Sequence, residues 1–179
     1  MVFQKEKPII KPGTQVPSLA LELTIGAQYD LSKQSPDAFT LVLFYRGKHC
    51  PICKKQLTEL GSKLDEFTKR GINVVAVSMD DKERAMHVDA EWETGDVPLA
   101  YGLSEKSARE WGLYISEARE GSEEPAMFSE PGMFLVRPDG TLYYASTQNS
   151  PFARPQFDDL LSGLDYVLEN DYPVRGTLT

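Results

Sequence analysis

The sequence is poor in cysteine and has no long apolar run. Only two of its 179 residues are cysteines, which excludes a small scaffold held together by disulfides, and a chain of this length can bury a core without them. The longest uninterrupted apolar run is Leu41 to Tyr45, far short of the roughly 18 residues that span a membrane. The opening residues MVFQKEKPII lack the apolar segment of a secretory signal. We therefore expect a soluble, cytoplasmic protein with no membrane partner.

Positive charge is also scarce. The chain has 19 Lys and Arg residues against 27 Asp and Glu residues, for a formal net charge of -8 at pH 7. Binding to the phosphates of nucleic acid requires clustered Lys and Arg side chains, and the sequence contains no such stripe. The composition predicts no nucleic-acid partner.

A short hairpin and two buried strands are predicted in the first half of the chain. The leucines of SLALEL alternate with small or polar residues, as in a half-buried strand, and Gly26 marks the turn of an N-terminal hairpin. Residues 40–45 (TLVLFY) and 72–79 (INVVAVSM) are short apolar runs typical of central strands. The first of these is expected at the middle of the sheet.

Two helices alternate with these strands. Pro51 begins a helix that runs to about residue 70, with leucines and a phenylalanine at spacings of three and four and Gly71 as its stop. A second helix is predicted to begin at Asp80 or Asp81, which suit the N-cap position, and to run to about Trp92. Strand, helix, strand, helix is the order typical of an α/β sheet.

The second half predicts smaller elements. A short strand is expected at residues 97–100, and Ser104 suits the cap of a helix that ends near Trp111. Residues 116–129 are rich in acidic side chains and contain Gly and Pro, which predicts an exposed acidic loop.

A hairpin and a helix are predicted to close the fold. The strands GMFLVR and TLYYAS flank the turn sequence Pro138-Asp139-Gly140, and Pro155 opens a helix with one apolar face. Together these elements predict a single domain over residues 1–179, a three-layer α/β/α sandwich with a mixed central sheet and an N-terminal β-hairpin.

The two cysteines occur as FYRGKHCPIC, between the end of a strand and the start of a helix. Cys50 falls at or near the helix N-cap, where free backbone N–H groups and the helix dipole stabilise a thiolate. Arg46, Lys48 and His49 offer further positive charge, which lowers the pKa of a cysteine. Cys53 follows one helical turn later, at a separation that permits a disulfide. We predict that Cys50 is an exposed nucleophile and that Cys53 resolves the sulfenic acid or mixed disulfide it forms.

Two other interpretations of the pair remain open. Free cysteines are often simply buried structural residues. A zinc site needs four ligands, and the soft ligand types are limited to Cys50, Cys53, His49 and His87, without a second C-x-x-C. We therefore predict no metal and no other cofactor. Pro131 stands directly before an apolar strand, where it is either an ordinary strand-start residue or the site of a cis peptide bond.

These segments together resemble a known family. LVLFYRGKHCPICKKQLTEL, GINVVAVSMD, VPLAYGLSEKSAREWGL and EPGMFLVRPDGTLYY are similar to the AhpC/TSA peroxiredoxin-like proteins of the thioredoxin superfamily, over about residues 12–170. The resemblance implies a thioredoxin fold, a peroxidatic Cys50 and a resolving Cys53. It also implies that Pro131 is a cis-proline facing the active site, and it allows a homodimer.

The chain departs from the family pattern at three positions. Where typical members have Pro and then Thr or Ser, seven and three residues before the peroxidatic cysteine, this chain has Leu43 and Gly47. The Arg that typical members carry just before the late strand is replaced by Pro131. Arg46 is the candidate to supply the missing cation, and Arg137 and Arg154 are weaker candidates.

Three functions follow from these residues. The first is an antioxidant peroxidase, in which a hydroperoxide oxidises Cys50, Cys53 closes the disulfide and an external thiol reductant restores the pair. The second is a dithiol-disulfide oxidoreductase with little peroxidase activity, which exchanges disulfides with a protein or small molecule. The third is a non-catalytic metal-binding protein on the same fold.

Overall fold

A seven-stranded sheet forms the centre of the protein, in a computed structural model that describes residues 10–178. The strands of this part of the chain are β1 (Ala20–Leu23), β2 (Gln28–Asp30), β3 (Phe39–Phe44), β4 (Ile72–Val77), β5 (Leu99–Tyr101), β6 (Ile115–Glu117), β7 (Met127–Ser129), β8 (Gly132–Val136) and β9 (Leu142–Thr147). Its α-helices are α1 (Pro51–Lys69), α2 (Lys82–Glu91), α3 (Glu105–Glu110) and α4 (Phe157–Asn170). The predicted absence of a secretory signal depends on residues 1–9, which lie outside the described residues.

The sheet is mixed, as predicted. Its strand order is β2-β1-β5-β4-β3-β8-β9, with β3, β4 and β5 parallel and the flanking pairs antiparallel. All six residues of β3 are buried, because a strand at the centre of a covered sheet meets apolar groups on both faces. The predicted N-terminal hairpin is confirmed as β1 and β2, with Gly26 in its turn at a φ of 81°.

Alternate side chains of β3 face two different layers. Leu41 and Leu43 belong to a core cluster that includes buried residues of α1, α2 and α4. Val42 and Phe44 belong to a second cluster, which includes Trp111 and residues of α3 and the N-terminal hairpin. The side chains of a strand point alternately to opposite faces, so one central strand helps to build both cores. The predicted three-layer sandwich is confirmed.

The first three α-helices begin at the predicted caps, whereas α4 begins at Phe157, two residues after the predicted Pro155. Cys50 is the N-cap of α1 and Pro51 is its first residue. Asp81, rather than Asp80, caps α2 by accepting the Arg84 N–H at 3.0 Å, and the Ser104 hydroxyl accepts from the Ser107 N–H at 3.1 Å. These bonds satisfy backbone donors that the first turn of a helix leaves free.

One prediction in the second half is wrong and another holds only in part. Residues 118–121 of the acidic segment form an exposed loop as predicted, but β6 and β7 pair as an antiparallel hairpin and the Glu124 side chain between them is only 3% exposed. Pro131 is not cis: no peptide bond within residues 10–178 is cis. The backbone runs extended from β7 into β8, where the Glu130 N–H bonds to the Tyr114 carbonyl and the Pro131 carbonyl accepts from the Gln148 N–H. A trans bond keeps that path straight.

None of the helices in the described part of the chain is long and apolar enough to cross a bilayer.

Two helical glycines provide a test of this packing. A Cβ at Gly61 in α1 would press against the Thr94 carbonyl, whereas a Cβ at Gly163 in α4 would meet nothing within 4 Å. We expect Gly61→Ala to lower the free energy of unfolding by about 1 to 3 kcal/mol, the usual cost of overpacking. We expect Gly163→Ala to raise it by about 0.5 to 1 kcal/mol through helix propensity. Urea denaturation of both variants checks this; a stabilising Gly61→Ala would contradict the close approach.

Candidate active site

The cysteines lie at the carboxyl end of β3, where the chain turns into α1. The Tyr45 N–H donates to the Val77 carbonyl at 3.0 Å, so the chain stays paired to β4 one residue beyond the strand. It then turns through residues 46–49, and the Cys50 N–H donates to the Gly47 carbonyl at 3.1 Å. This is the edge of a parallel sheet at which α/β proteins usually bind ligands.

Cys50 and Cys53 are brought together as the sequence predicts. The Cys50 sulfur accepts the Cys53 backbone N–H at 3.3 Å, and both residues are free thiols. The prediction that Cys50 is exposed is wrong: it is 1% exposed, and Cys53 is fully buried. Both belong to the core cluster on the α1 face of the sheet. A side chain from the loop before α4 covers them.

That side chain is Arg154, which the sequence ranks below Arg46. Its Nη2 lies 3.2 Å from the Cys53 sulfur and 3.7 Å from the Cys50 sulfur. Its other nitrogens donate to the Gln56 side-chain oxygen at 2.5 Å and to the Pro151 carbonyl at 2.9 Å. The guanidinium is therefore held in place from two sides while it contacts both sulfurs. No local pattern in the sequence marks Arg154 for this position.

Arg46 approaches the same pair from the other side. Its backbone N–H donates to the Cys53 sulfur at 3.4 Å. Its guanidinium lies 3.0 Å from a Glu130 carboxylate oxygen and 3.6 Å from a Glu124 oxygen, and stacks 4.7 Å from the centre of the Phe128 ring. Arg46 therefore lies beside the cysteines, and its charge is shared by Glu124 of the acidic segment and by Glu130, which follows that segment.

The two thiols have unequal pKa values. The pKa of Cys50 is lowered, first by the hydrogen bond from the Cys53 thiol, which outweighs burial, and then by the Cys53 N–H, Arg46 and Arg154. The pKa of Cys53 is raised, first by burial and then by the neighbouring Cys50. Arg154 is nearer to Cys53, yet the thiolate forms at Cys50, because the Cys53 thiol and N–H both donate to Cys50. Cys50 is the better nucleophile of the two near neutral pH.

His49 does not contribute the positive charge that the sequence suggests. Burial, followed by the nearby charges of Arg46 and Arg84, lowers its pKa to about 4, so its ring is neutral at pH 7. The ring packs 4.6 Å from the Phe128 ring, centre to centre, and its Nδ1 lies 3.4 Å from an Arg84 nitrogen. Two guanidinium groups on one side make a third cation unfavourable.

Gly47 is explained by the buried carboxylate of Asp80. Gly47 has a φ of 120°, and a Cβ there would lie 2.6 Å from an Asp80 carboxylate oxygen. That carboxylate accepts the Lys48 N–H at 2.7 Å and an Arg84 nitrogen at 2.8 Å. The side chain that typical relatives carry at this position has no space here.

The remaining predicted residues are spread over both ends of the sheet. Leu43 is buried in the core beside the cysteines. Pro131 is buried and directly precedes Gly132, the first residue of β8. Because Gly132 pairs with Phe44 at the carboxyl end of β3, Pro131 lies at the same end of the sheet as the thiols. Arg137 lies at the opposite end of β8, stacked 5.0 Å from the Tyr143 ring centre, and has no part in the site.

A surface groove of about 240 Å³ leads to Arg154. It lies between the first turns of α1 and the loop before α4, and Gln56 and Arg154 line it together with Ile52, Lys55 and Phe152. Among residues 10–178, no group of three or more His, Cys, Asp and Glu side chains is placed to hold a metal ion.

Arg154 provides a direct test of thiolate stabilisation. Without its charge the pKa of Cys50 should rise by about 1, the effect of losing one close opposite charge. We expect Arg154→Met to show this rise and Arg137→Met to show none, both made in a Cys53→Ser background with a single thiol. The pH dependence of alkylation by iodoacetamide gives the pKa directly. If the midpoint pH of alkylation were unchanged in Arg154→Met, Arg154 would not be a cause of the lowered pKa of Cys50.

The sequence is similar to a known family and to known proteins. The model of the AhpC/TSA family matches residues 12–145. The peroxiredoxin-like protein YkuU of Bacillus subtilis is 25% identical over 158 residues, covering 79% of this chain and 81% of YkuU. The thiol-disulfide oxidoreductase ResA of the same organism is 24% identical over 134 residues, covering 75% of this chain and 66% of ResA.

A solved structure shows the same fold. Peroxidoxin BcpB from Mycobacterium tuberculosis superposes with a TM-score of 0.70 at 20% sequence identity, covering 89% of this chain and 99% of BcpB. The predicted thioredoxin-like architecture is therefore confirmed. Since the family model covers most of the chain and contains both cysteines, this protein belongs to the AhpC/TSA family.

Proposed function

We propose that this protein is a thiol-dependent peroxidase that reduces small hydroperoxides through Cys50, with Cys53 as the resolving cysteine. The single observation that supports this most strongly is the Cys50 sulfur at the N-cap of α1, which accepts the Cys53 N–H while Arg154 contacts both sulfurs. This arrangement stabilises a thiolate and keeps the second thiol within reach of it.

The first step oxidises Cys50. Its thiolate attacks the terminal oxygen of the hydroperoxide, the O–O bond breaks, and the alcohol or water leaves after taking up a proton, so that Cys50 becomes a sulfenic acid. Arg154 and Arg46 are the cations that would face the negative charge developing on the leaving oxygen. Cys50 needs no separate base, because its lowered pKa already makes it a thiolate near neutral pH.

The second step closes the disulfide. The Cys53 sulfur attacks the Cys50 sulfenic acid, the S–O bond breaks, and hydroxide leaves with the Cys53 proton as water. The raised pKa of Cys53 keeps its proton on during the first step. Two equivalents of an external thiol, or one dithiol, then reduce the disulfide. The reducing cytoplasm is the compartment that we propose, since it would return the pair to the thiol state.

Burial favours a peroxidase over an enzyme for protein disulfides. Cys50 is only 1% exposed, so a molecule of the size of hydrogen peroxide needs far less opening of the loop before α4 to reach it than a disulfide on a protein surface. The C-x-x-C spacing and the likeness to ResA support exchange with a disulfide as the second candidate. The peroxidase and the disulfide oxidoreductase are distinguished by the size of the oxidant that each accepts.

The roles of the cysteines are tested by single substitutions. We expect Cys50→Ser to lose peroxide consumption down to background. We expect Cys53→Ser to consume one equivalent of hydrogen peroxide, because the sulfenic acid forms but no disulfide can follow. Intact mass after trapping with dimedone gives the readout, with the wild type as control for two lost thiols. If Cys53→Ser were inactive and Cys50→Ser active, the roles would be reversed.

The two candidate functions differ in their preferred oxidant. We expect hydrogen peroxide to oxidise the reduced protein at least about 100-fold faster than a protein disulfide such as that of insulin, because the larger substrate requires a local opening that costs about 3 kcal/mol. Stopped-flow tryptophan fluorescence under equal concentrations measures both rates. Comparable rates, or faster exchange with insulin, would favour the disulfide oxidoreductase instead.

A further inference from the structure

The groove beside the thiols carries opposite charges that are not paired with each other. Lys55 and Glu59 lie one turn apart on α1 and both line it. Neither side chain forms an ion pair in the described part of the chain, although residues at this spacing on a helix usually can. The groove therefore offers an ammonium and a carboxylate at the same time.

The rest of its lining is amide and apolar. Gln56 and Gln156 provide side-chain amides, of which the Gln56 oxygen already accepts from Arg154 and the Gln156 nitrogen already donates to the Arg154 carbonyl. Ile52, Phe152 and Pro155 provide apolar walls. Phe152 is 65% exposed at the rim of the groove. Amides, charges of both signs and short apolar walls match the chemistry of a small peptide.

The groove also leads to the redox pair. Gln56 and Arg154 line it, and they bond to each other at 2.5 Å, with the other end of the guanidinium on both sulfurs. A ligand in this groove would be separated from the sulfurs by the Arg154 side chain. A thiol on that ligand would reach the disulfide once this side chain moves aside.

Exposed lysines lie near the start of α1 although the chain is negative overall. Lys48, Lys54 and Lys55 are exposed there, and none has an ion-pair partner within residues 10–178. The chain as a whole has a net charge of -8. These lysines would attract an anionic reductant to the start of α1.

We propose that this groove binds the reductant of the Cys50–Cys53 disulfide, and that the reductant is a small peptide thiol carrying carboxylates and one ammonium. Lys55 would bind a carboxylate, Glu59 the ammonium, and the two glutamine side chains the peptide amides. This assignment rests on the proposed redox function, and it adds the chemical class of the electron donor.

The exchange balances with two thiols. The thiolate of the first attacks the Cys50 sulfur, the Cys50–Cys53 bond breaks, and Cys53 leaves as a thiolate. A second thiolate attacks the mixed disulfide at the sulfur of the bound peptide, so Cys50 leaves as a thiolate and the peptide departs as its own disulfide. The protein gains two electrons and the two peptide thiols lose them.

Cys53 is well placed to leave in the first step. Its sulfur accepts from Arg154 at 3.2 Å and from the Arg46 N–H at 3.4 Å. In the reduced protein burial, and after it the neighbouring Cys50, raises the pKa of Cys53. The contribution of Cys50 is absent while Cys50 is part of a mixed disulfide, so the two donors then oppose burial alone in stabilising the Cys53 thiolate.

The test compares two neighbouring lysines. The Cys50–Cys53 disulfide is formed with diamide, without peroxide, and its reduction by glutathione is followed by stopped-flow fluorescence. We expect the rate to saturate with glutathione concentration in the wild type. We expect Lys55→Gln to lower the second-order rate constant about fivefold, the effect of one partly exposed ion pair. Lys54→Gln removes the same charge one residue away, outside the groove, and should change it by less than about twofold.

Two further measurements test whether the substitutions change the reactivity of the disulfide itself rather than the binding of glutathione. Reduction by 2-mercaptoethanol, which has no charges, should be the same in all three proteins. S-methylglutathione, which has no thiol, should inhibit glutathione reduction in the wild type and not in Lys55→Gln. Equal losses in Lys54→Gln and Lys55→Gln would indicate long-range attraction and overturn the site, as would a linear rate with no inhibition. Because diamide replaces the peroxide, a failed peroxidase assay would not affect this result.

Discussion

A buried thiolate at the first turn of α1 is the constraint on which the site depends. A charge that is 1% exposed is costly unless donors and opposite charges replace the water it has lost. Here the Cys53 N–H comes from the helix itself, and Arg154 comes from the loop before α4. The loop before α4 is thus connected to the first turn of α1 through the Arg154 guanidinium, and this loop closes the site.

Arg46, which helps to stabilise the thiolate, needs partners of its own. It is paired with the buried carboxylates of Glu130 and Glu124, and Arg84, beside His49, is paired with that of Asp80. Buried charges are tolerated when they are paired and hydrogen-bonded. Glu124 of the β6–β7 hairpin therefore contributes to the site, and Asp80 occupies the space that a side chain at Gly47 would need.

This closed site has a consequence for the reaction cycle. Oxidation needs only a small molecule to reach Cys50, whereas reduction needs a thiol that can pass Arg154. We propose that such a thiol binds in the groove between α1 and the loop before α4. Ala153, next to Arg154, has a left-handed φ of 55°, a conformation that costs non-glycine residues about 1 kcal/mol or more. The loop therefore has this strained backbone in the conformation in which Arg154 contacts both sulfurs.

Local patterns in the sequence determined the elements of the fold and the identity of the redox pair. The run around Leu41 predicts the central strand, and Pro51 and the C-x-x-C predict where α1 begins, because burial periodicity and capping act over a few residues. Only the tertiary structure decided what surrounds the pair. Arg154 is 104 residues from Cys50, and Glu124 lies in a segment whose composition suggests solvent exposure. The folded core brings these charges together, and it also decides that Cys50 is buried, since exposure depends on neighbours that no local pattern records.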